Sequence, residues 1–507
     1  MRGRGRGAGG WLLAIAALVA PGCTSKPAAP AASERPYQGV TLKVVAVGDP
    51  GLADAIASQS GEWKETHGAD LSFSSGAIDP KQAREADVVL FPGDRLGALV
   101  DARALAVLPE PALRPPAPRK AEDGAAAPEP SRDVLAFADI AEAYRDQVSK
   151  YGDEHLALPL GGSALVLVYR RDALASEENR KAAREAGIAL EPPTTWEDLD
   201  ALARFLQGRD WDEDGQPESG IALAWGADPE GVGNTIFLSR AAALGQHPNH
   251  YSFLFDSDTM EPRIASPPFV EALNALVQLK DSGPAEAETF DAEAARAAFR
   301  SGEVALLIDR AERAARWTDP KAPISAGVAR LPGSTRVYDP GRQVWETLAE
   351  PNRPSYLPHG GGWLVGISAT LSGTKRTAAL DWLRDLAGPE TSARLQAERS
   401  SPMLPVRPSA LASGLPDSRS APGVEPRSWG RAVAETLTAP RVVVGLRIPD
   451  AESYLADLDG PRAAAAAGEP AERALRTVAQ AWSDRTARWG VERQLWHYRR
   501  SLNRLPT

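Results

Sequence analysis

Asp94 and Arg95, in the stretch FPGDRLG, follow the short apolar run DVVLF at 87–91. A run of that length and composition reads as a strand buried on both faces of a parallel sheet. The C-terminal ends of such strands are where open α/β sheets hold their ligands. A carboxylate beside a guanidinium offers fixed acceptors and donors suited to a polar molecule, and the same pair can equally close a turn as a salt bridge. Asp49, in the turn after VTLKVVAV, holds a similar position. So do Asp309 and Arg310, which close the run VALLI, and Ser163, which follows a glycine pair.

Flat aromatic faces would serve the apolar side of a ring-shaped ligand. The chain has 13 tryptophans. Trp196, Trp317, Trp382 and Trp482 fall on helical apolar spacings and read as packing residues. Trp225 follows the strand-like IALA, and Trp363 follows three glycines, so these two stand at element ends, where packing and ligand contact are both open. Asp210, Asp212 and Asp214 with Gly215 form the start of a calcium loop, but the twelfth position is Ile221 where a bidentate glutamate is needed. A polar turn is the simpler reading, and no metal or cofactor is expected. GRGAGG at 5–10 matches a dinucleotide fingerprint but has no strand before it. There is no GK[ST] phosphate loop, HExxH or G-x-S-x-G, and the six histidines and one cysteine form no ligand cluster in sequence.

The single cysteine, Cys23, ends an N-terminal pattern of Arg2, Arg4 and Arg6 followed by an apolar segment at 11–20 too short to span a bilayer. Small residues before it resemble a lipoprotein signal, which makes residues 1–23 a signal peptide and Cys23 the acylated terminus. The Pro/Ala/Ser stretch at 24–37 is then a tether. With 507 residues, two lobes are expected. A net charge of −10 argues against nucleic acid.

Strands are expected at 40–47, 71–75, 87–91 and 304–308, alternating with helices from about Leu52, at 137–148, after a capping box at Thr194, and at 475–489. Residues 109–133 are Pro/Ala-rich and aperiodic, an exposed or disordered insertion. Twice the chain enters an apolar strand through its most permissive backbone. Pro159, Gly161 and Gly162 precede the first, and Gly360, Gly361 and Gly362 the second. Two unrelated tight turns would do this, and so would two crossings of a hinge.

The order of DVVLFPGDRLGALVDARALAVL, HLALPLGGSALVLVYRRDAL, PPTTWEDLDALARFL, AFRSGEVALLIDRAERAARW and GGGWLVGISATLSGTKRTAALDWLRDLAGPETSARL resembles the extracellular solute-binding proteins of ABC importers. The nearest likeness is to the sugar-binding subclass, and it runs from about Val40 to Leu502. The resemblance implies a two-lobed α/β periplasmic-binding-protein fold of type II with the ligand in a cleft. Lobe one is then 38–159 plus a return at 363–400, lobe two is 163–358, and terminal helices at 425–507 pack across both. It further implies that Asp94 and Arg95 contact sugar hydroxyls, that Trp429 in RSWGRAV stacks on the sugar, and that the glycine crossings are hinges. Asp49, Ser163, Trp225, Trp363, Asp309 and Arg310 complete the candidate set. The 109–133 insertion and the overall length depart from the usual pattern.

The function so implied is a non-catalytic monomer, lipid-anchored outside the cytoplasm, that closes on a carbohydrate and delivers it to a permease. Two other readings compete with it: a secreted glycan-active enzyme with paired carboxylates in the cleft, and a surface-anchored scaffold or adhesion lipoprotein.

Overall fold

The computed structural model of the protein describes residues 35–76, 79–114, 133–226, 228–398, 401–412, 414 and 421–504. Cys23, the signal segment, residues 24–34 of the tether and 115–132 of the insertion lie outside the described residues.

Two sheets organise the chain. In the first, Thr41–Val47 pairs in parallel with Asp70–Gly76 on one side and Val88–Pro92 on the other. Gly362–Ile367 then runs antiparallel to Val88–Pro92, and Leu158–Gly162 antiparallel to it at the edge. Val88 to Phe91 are all fully buried, as the continuous apolar run requires when helices cover both faces. In the second sheet, Leu165–Arg170 lies between Ala326–Arg330 and Val304–Arg310, with Ser219–Ala222 parallel to the latter. The expected strands are present with boundaries shifted by one or two residues.

Only Ser163 and Ala164 separate the last strand of one sheet from the first strand of the other. The return passes through Ser355–Leu357, which pairs in parallel with Val442–Val444, and then through His359–Gly361 into Gly362–Ile367. The first sheet therefore keeps the chain through Gly162, three residues beyond the expected limit of 159. Gly161 and Gly162 are inside a strand. A side chain on Gly161 would strike Met403, and one on Gly162 would strike Tyr144. Tyr144 in turn donates its hydroxyl to the Gly361 carbonyl at 2.8 Å. These glycines permit close packing at the crossing as well as conformational range.

Three other expectations need adjusting. The helix from 194 onward is Trp196–Leu206, and its N-cap is Thr195, whose side chain accepts from the Asp198 N–H at 3.1 Å. The segment at 137–148 is not one helix but two short turns, Phe137–Asp139 and Tyr144–Val148, because Ile140 is extended between them. The insertion begins in structure: Glu110–Leu113 is a helical turn with Ala112 and Leu113 buried. At the C-terminus, Ala471–Trp489 stops at Gly490, whose φ of +95° turns the chain into Val491–Ser501. Among the described residues, no helix is long and apolar enough to cross a membrane.

Candidate functional site

A cavity of about 250 Å³ opens where the two sheets meet. Its wall comes from four segments. The turn after Val88–Pro92 supplies Asp94, and the start of the helix Val232–Gly245 supplies Asp228, Glu230, Asn234 and Thr235. The crossing supplies Tyr356 and His359, and the helices Ala451–Ala456 and Asp459–Ala466 supply Glu452 and Asp459.

Each carboxylate on this wall is held by backbone N–H, amide or guanidinium donors, with one exception. Asp228 caps the lobe-two helix, accepting from the Val232 N–H at 2.6 Å and the Glu230 N–H at 3.0 Å. Burial pushes the Glu230 carboxyl up, but hydrogen bonds and charge from Arg296, with Arg313 and Arg310 adding, outweigh it and hold the group at about 2. Arg296 reaches Glu230 at 2.6 Å and Asp309 at 2.7 Å. Asn234 donates to Asp459 at 2.8 Å, and Arg462 holds both. The exception is Asp94. Its Oδ2 lies 3.6 Å from His359 Nδ1, while its Oδ1 is buried with no hydrogen-bond partner. A buried carboxylate oxygen without a donor is costly, and it leaves an unfilled acceptor on this wall.

Arg95, beside it, forms an ion pair with Glu452. Arg95 also lines an adjoining hollow of about 630 Å³ with Lys81, Asp101, Trp489 and Arg493. The Arg95–Glu452 pair joins the walls of the two.

These two sheets, their two-way crossing and the cavity between them form a receptor architecture, and the sequence agrees: residues 75–425 match the bacterial extracellular solute-binding protein family. The chain belongs to that family. Solved structures with the same fold include a solute-binding protein from Agrobacterium radiobacter K84 in complex with ribitol, 19% identical, TM-score 0.59, covering 89% of this chain and 99% of that one. A cyclic alpha-maltosyl-1,6-maltose binding protein from Arthrobacter globiformis is 17% identical, TM-score 0.58, covering 88% and 98%. A solute-binding protein from Agrobacterium vitis S4 with bound D-mannitol is 17% identical, TM-score 0.55, covering 89% and 99%. No curated protein matches the chain in sequence.

In this solute-binding protein the other candidates are placed as follows. Asp49 is the N-cap of Pro50–Gln59, accepting from the Leu52 N–H at 3.0 Å. Asp309 is buried between Arg296 and the Trp317 indole, which donates to it at 2.7 Å. Ser163 donates to Glu312 at 2.5 Å, and Arg310 reaches the same carboxylate at 2.8 Å, a buried cluster under the first crossing. Trp429 is fully buried, and its N–H donates to the Ala311 carbonyl at 3.0 Å. Trp225 is buried in the lobe-two core, and Trp363 packs partly buried against the lobe-one core. None of these lines the cavity. Of the candidate set, the structure brings Asp94 to the cavity and leaves Arg95 on the adjoining hollow, paired with Glu452.

Asp210, Asp212, Asp214 and Glu218 do come together, with ligand atoms within 4.8 Å. Their oxygens accept backbone N–H groups of the same loop, for example Gly215 to Asp210 at 2.9 Å and Trp211 to Glu218 at 3.0 Å, which is how a polar turn closes. His247, Asp339 and Glu346 form a second group invisible in sequence. There His247 Nδ1 accepts from the Asn249 N–H at 3.1 Å, which leaves the proton on Nε2, 3.1 Å from Glu346.

Residues the sequence did not single out carry most of the cavity: Asp228, Glu230, Asn234, Tyr356, His359, Glu452 and Asp459. The available signals were an aspartate four residues ahead of a helix in DPEGV and the histidine opening HGGG.

Proposed function

We propose that this chain captures a carbohydrate or polyol outside the cytoplasm and delivers it to an ABC importer permease without altering it. On this reading the acylated Cys23 tethers the protein to the membrane, and ligand binding draws the two lobes together about Ser163–Ala164 and the 358–361 crossing. The observation that carries the proposal is the buried, unpartnered Oδ1 of Asp94 on the wall of a cavity shared by both lobes. A sugar hydroxyl supplies the missing donor, and Tyr356 offers an aromatic face beside it. The ribitol and D-mannitol complexes and the cyclic alpha-maltosyl-1,6-maltose binding protein among the fold neighbours support the same class. Closure stores ligand selectivity as the difference in affinity between open and closed forms.

A thermal-shift panel of monosaccharides, polyols and short oligosaccharides tests this directly. Stabilisation growing with ligand concentration, with the ligand recovered unchanged, is the expected result. Asp94→Ala should abolish that response while leaving the unliganded melting temperature within a few degrees. Turnover of the ligand, or a flat response across the panel, would overturn the proposal.

A further inference from the structure

The charge on the cavity wall is one-sided. Five carboxylates line it, from Asp94, Asp228, Glu230, Glu452 and Asp459, and among the described lining residues there is neither arginine nor lysine. The positive charges stand behind their partners: Arg296 and Arg313 on Glu230, Arg95 on Glu452, and Arg462 on Asp459. The helix N-terminus at Val232 would otherwise welcome an anion, but Asp228 already occupies it. The carboxylates left facing the cavity are acceptors.

Within that face Asp94 is distinct. It is 8% exposed, so water screens it poorly. Arginines pair with Glu230, Glu452 and Asp459, whereas the basic group that faces Asp94 is the His359 ring at 3.6 Å. Burial also pushes the Glu452 carboxyl up against the pull of Arg95, and the charge of Asp94 adds to that rise, which marks the two carboxylates as mutually repelling. A neutral hydroxyl would satisfy the hydrogen bond of Oδ1 but leave this excess negative charge unanswered. An ammonium answers both. The cavity, about 250 Å³ and separated from the adjoining hollow by the Arg95–Glu452 pair, suits one sugar ring rather than a chain.

We infer that the solute is a monosaccharide bearing a free primary amine, whose ammonium group seats on Asp94 in the cavity between the lobes. This rests on the carbohydrate reading above and narrows it. A sugar acid or sugar phosphate is rejected by the same wall, because it adds charge of the sign already in excess.

The test is calorimetric titration of the full mature protein with matched sets of four sugars in the gluco, galacto and manno series: parent hexose, 2-amino hexose, N-acetylated hexose and hexuronate. In the series that binds, the free amine should bind at least tenfold tighter than the parent. N-acetylation removes the charge and should erase that gain without any change to the protein, and the uronate should not bind measurably. Asp94→Asn should bring amine and parent within about threefold of each other. Equal affinity for amine and parent, or measurable uronate binding, overturns the inference while the carbohydrate proposal stands. Failure of every sugar in all three series overturns the inference, and both fall if the wider panel of polyols and oligosaccharides is flat as well.

Discussion

Arg95, in the turn that ends the central strand of lobe one, is ion-paired with Glu452 on the C-terminal helix Ala451–Ala456. The cavity holding Asp94 lies on the Glu452 side, and the larger hollow with Trp489 and Arg493 on the Arg95 side. The pair is half exposed, with side-chain accessibilities of 38% and 55%, so its contribution to stability is about 0–1 kcal/mol. On the proposed carbohydrate reading, a partition that costs so little to break would bound the ligand more than it holds the fold. Arg95→Ala should leave the melting temperature nearly unchanged and let a disaccharide bind where only a monosaccharide did. Titration with both sizes against wild type and variant checks this, and unaltered size selectivity would show that the pair does not bound the site.

Arg296 behaves in the opposite way. It is fully buried, bridges Glu230 on the cavity wall to Asp309 in the strand beneath, and shares Asp309 with the Trp317 indole. Removing one member of such a network leaves buried charges without partners, at a cost of about 3–5 kcal/mol. Arg296→Ala should therefore lower chemical-denaturation stability by that order, and Asp309→Asn by less, since the indole and guanidinium keep a neutral acceptor. A loss under about 1 kcal/mol for Arg296→Ala would mean that the network contributes nothing net.

This network also shows where sequence reading stops. The run VALLIDR was legible as a buried strand, and Asp309 and Arg310 at its end looked poised to face a ligand. All seven residues are buried, and the two charges are consumed by Arg296, which comes from the preceding helix, and by Glu312. Periodicity reports which face of an element is apolar, but not which distant side chain arrives to neutralise a charge. Asp94 was singled out from the end of an apolar strand and from the family resemblance, and the structure puts it on the cavity wall. Glu452 and Asp459 escaped notice because they reach the cavity from helices more than 350 residues further along the chain. Trp429 was read from resemblance to the family, and its burial beneath the Ala311 carbonyl depends on packing that no local pattern encodes. The strand positions, by contrast, followed from the succession of apolar runs and glycine punctuation.

His497 ties the last helix to lobe one, with Tyr151 Oη 2.9 Å from its Nδ1 and Asp101 3.2 Å from its Nε2. Burial pulls its pKa down to about 4 despite the opposing hydrogen bond and charge of Asp101. His155 is also drawn to about 4, by burial and then by the charge of Lys150. An unfolded histidine titrates near 6.5. Below that pH the unfolded chain binds protons that the folded chain refuses, so stability falls as pH drops from about 6.5 to about 4 and then levels for these two groups. Melting temperatures across this range should decline, and His497→Gln should flatten the decline. A profile that is flat in the wild type would remove the histidines from any such role.

The last relationship is between backbones. A Cβ on Gly360 would fall 2.2 Å from the Gly93 carbonyl carbon and 2.4 Å from the Asp94 nitrogen, at a φ of +61°. A Cβ on Gly93 would fall 2.3 Å from the Gly360 oxygen. The crossing and the Asp94 turn thus touch with no room for a side chain, so this glycine pair sets the position of the Asp94 carboxylate. Gly360→Ala must push the turn aside and also strain a left-handed residue, with a destabilisation of about 1–3 kcal/mol. Because the displaced element carries Asp94, affinity for the sugar should fall by tenfold or more. Gly373→Ala separates the two effects: its φ is +55° but nothing lies within 4 Å of the added carbon, so it carries the backbone strain without the push. That variant should lose stability and keep wild-type affinity. If Gly360→Ala also binds normally, the turn tolerates displacement, and Asp94 cannot be the group on which binding depends.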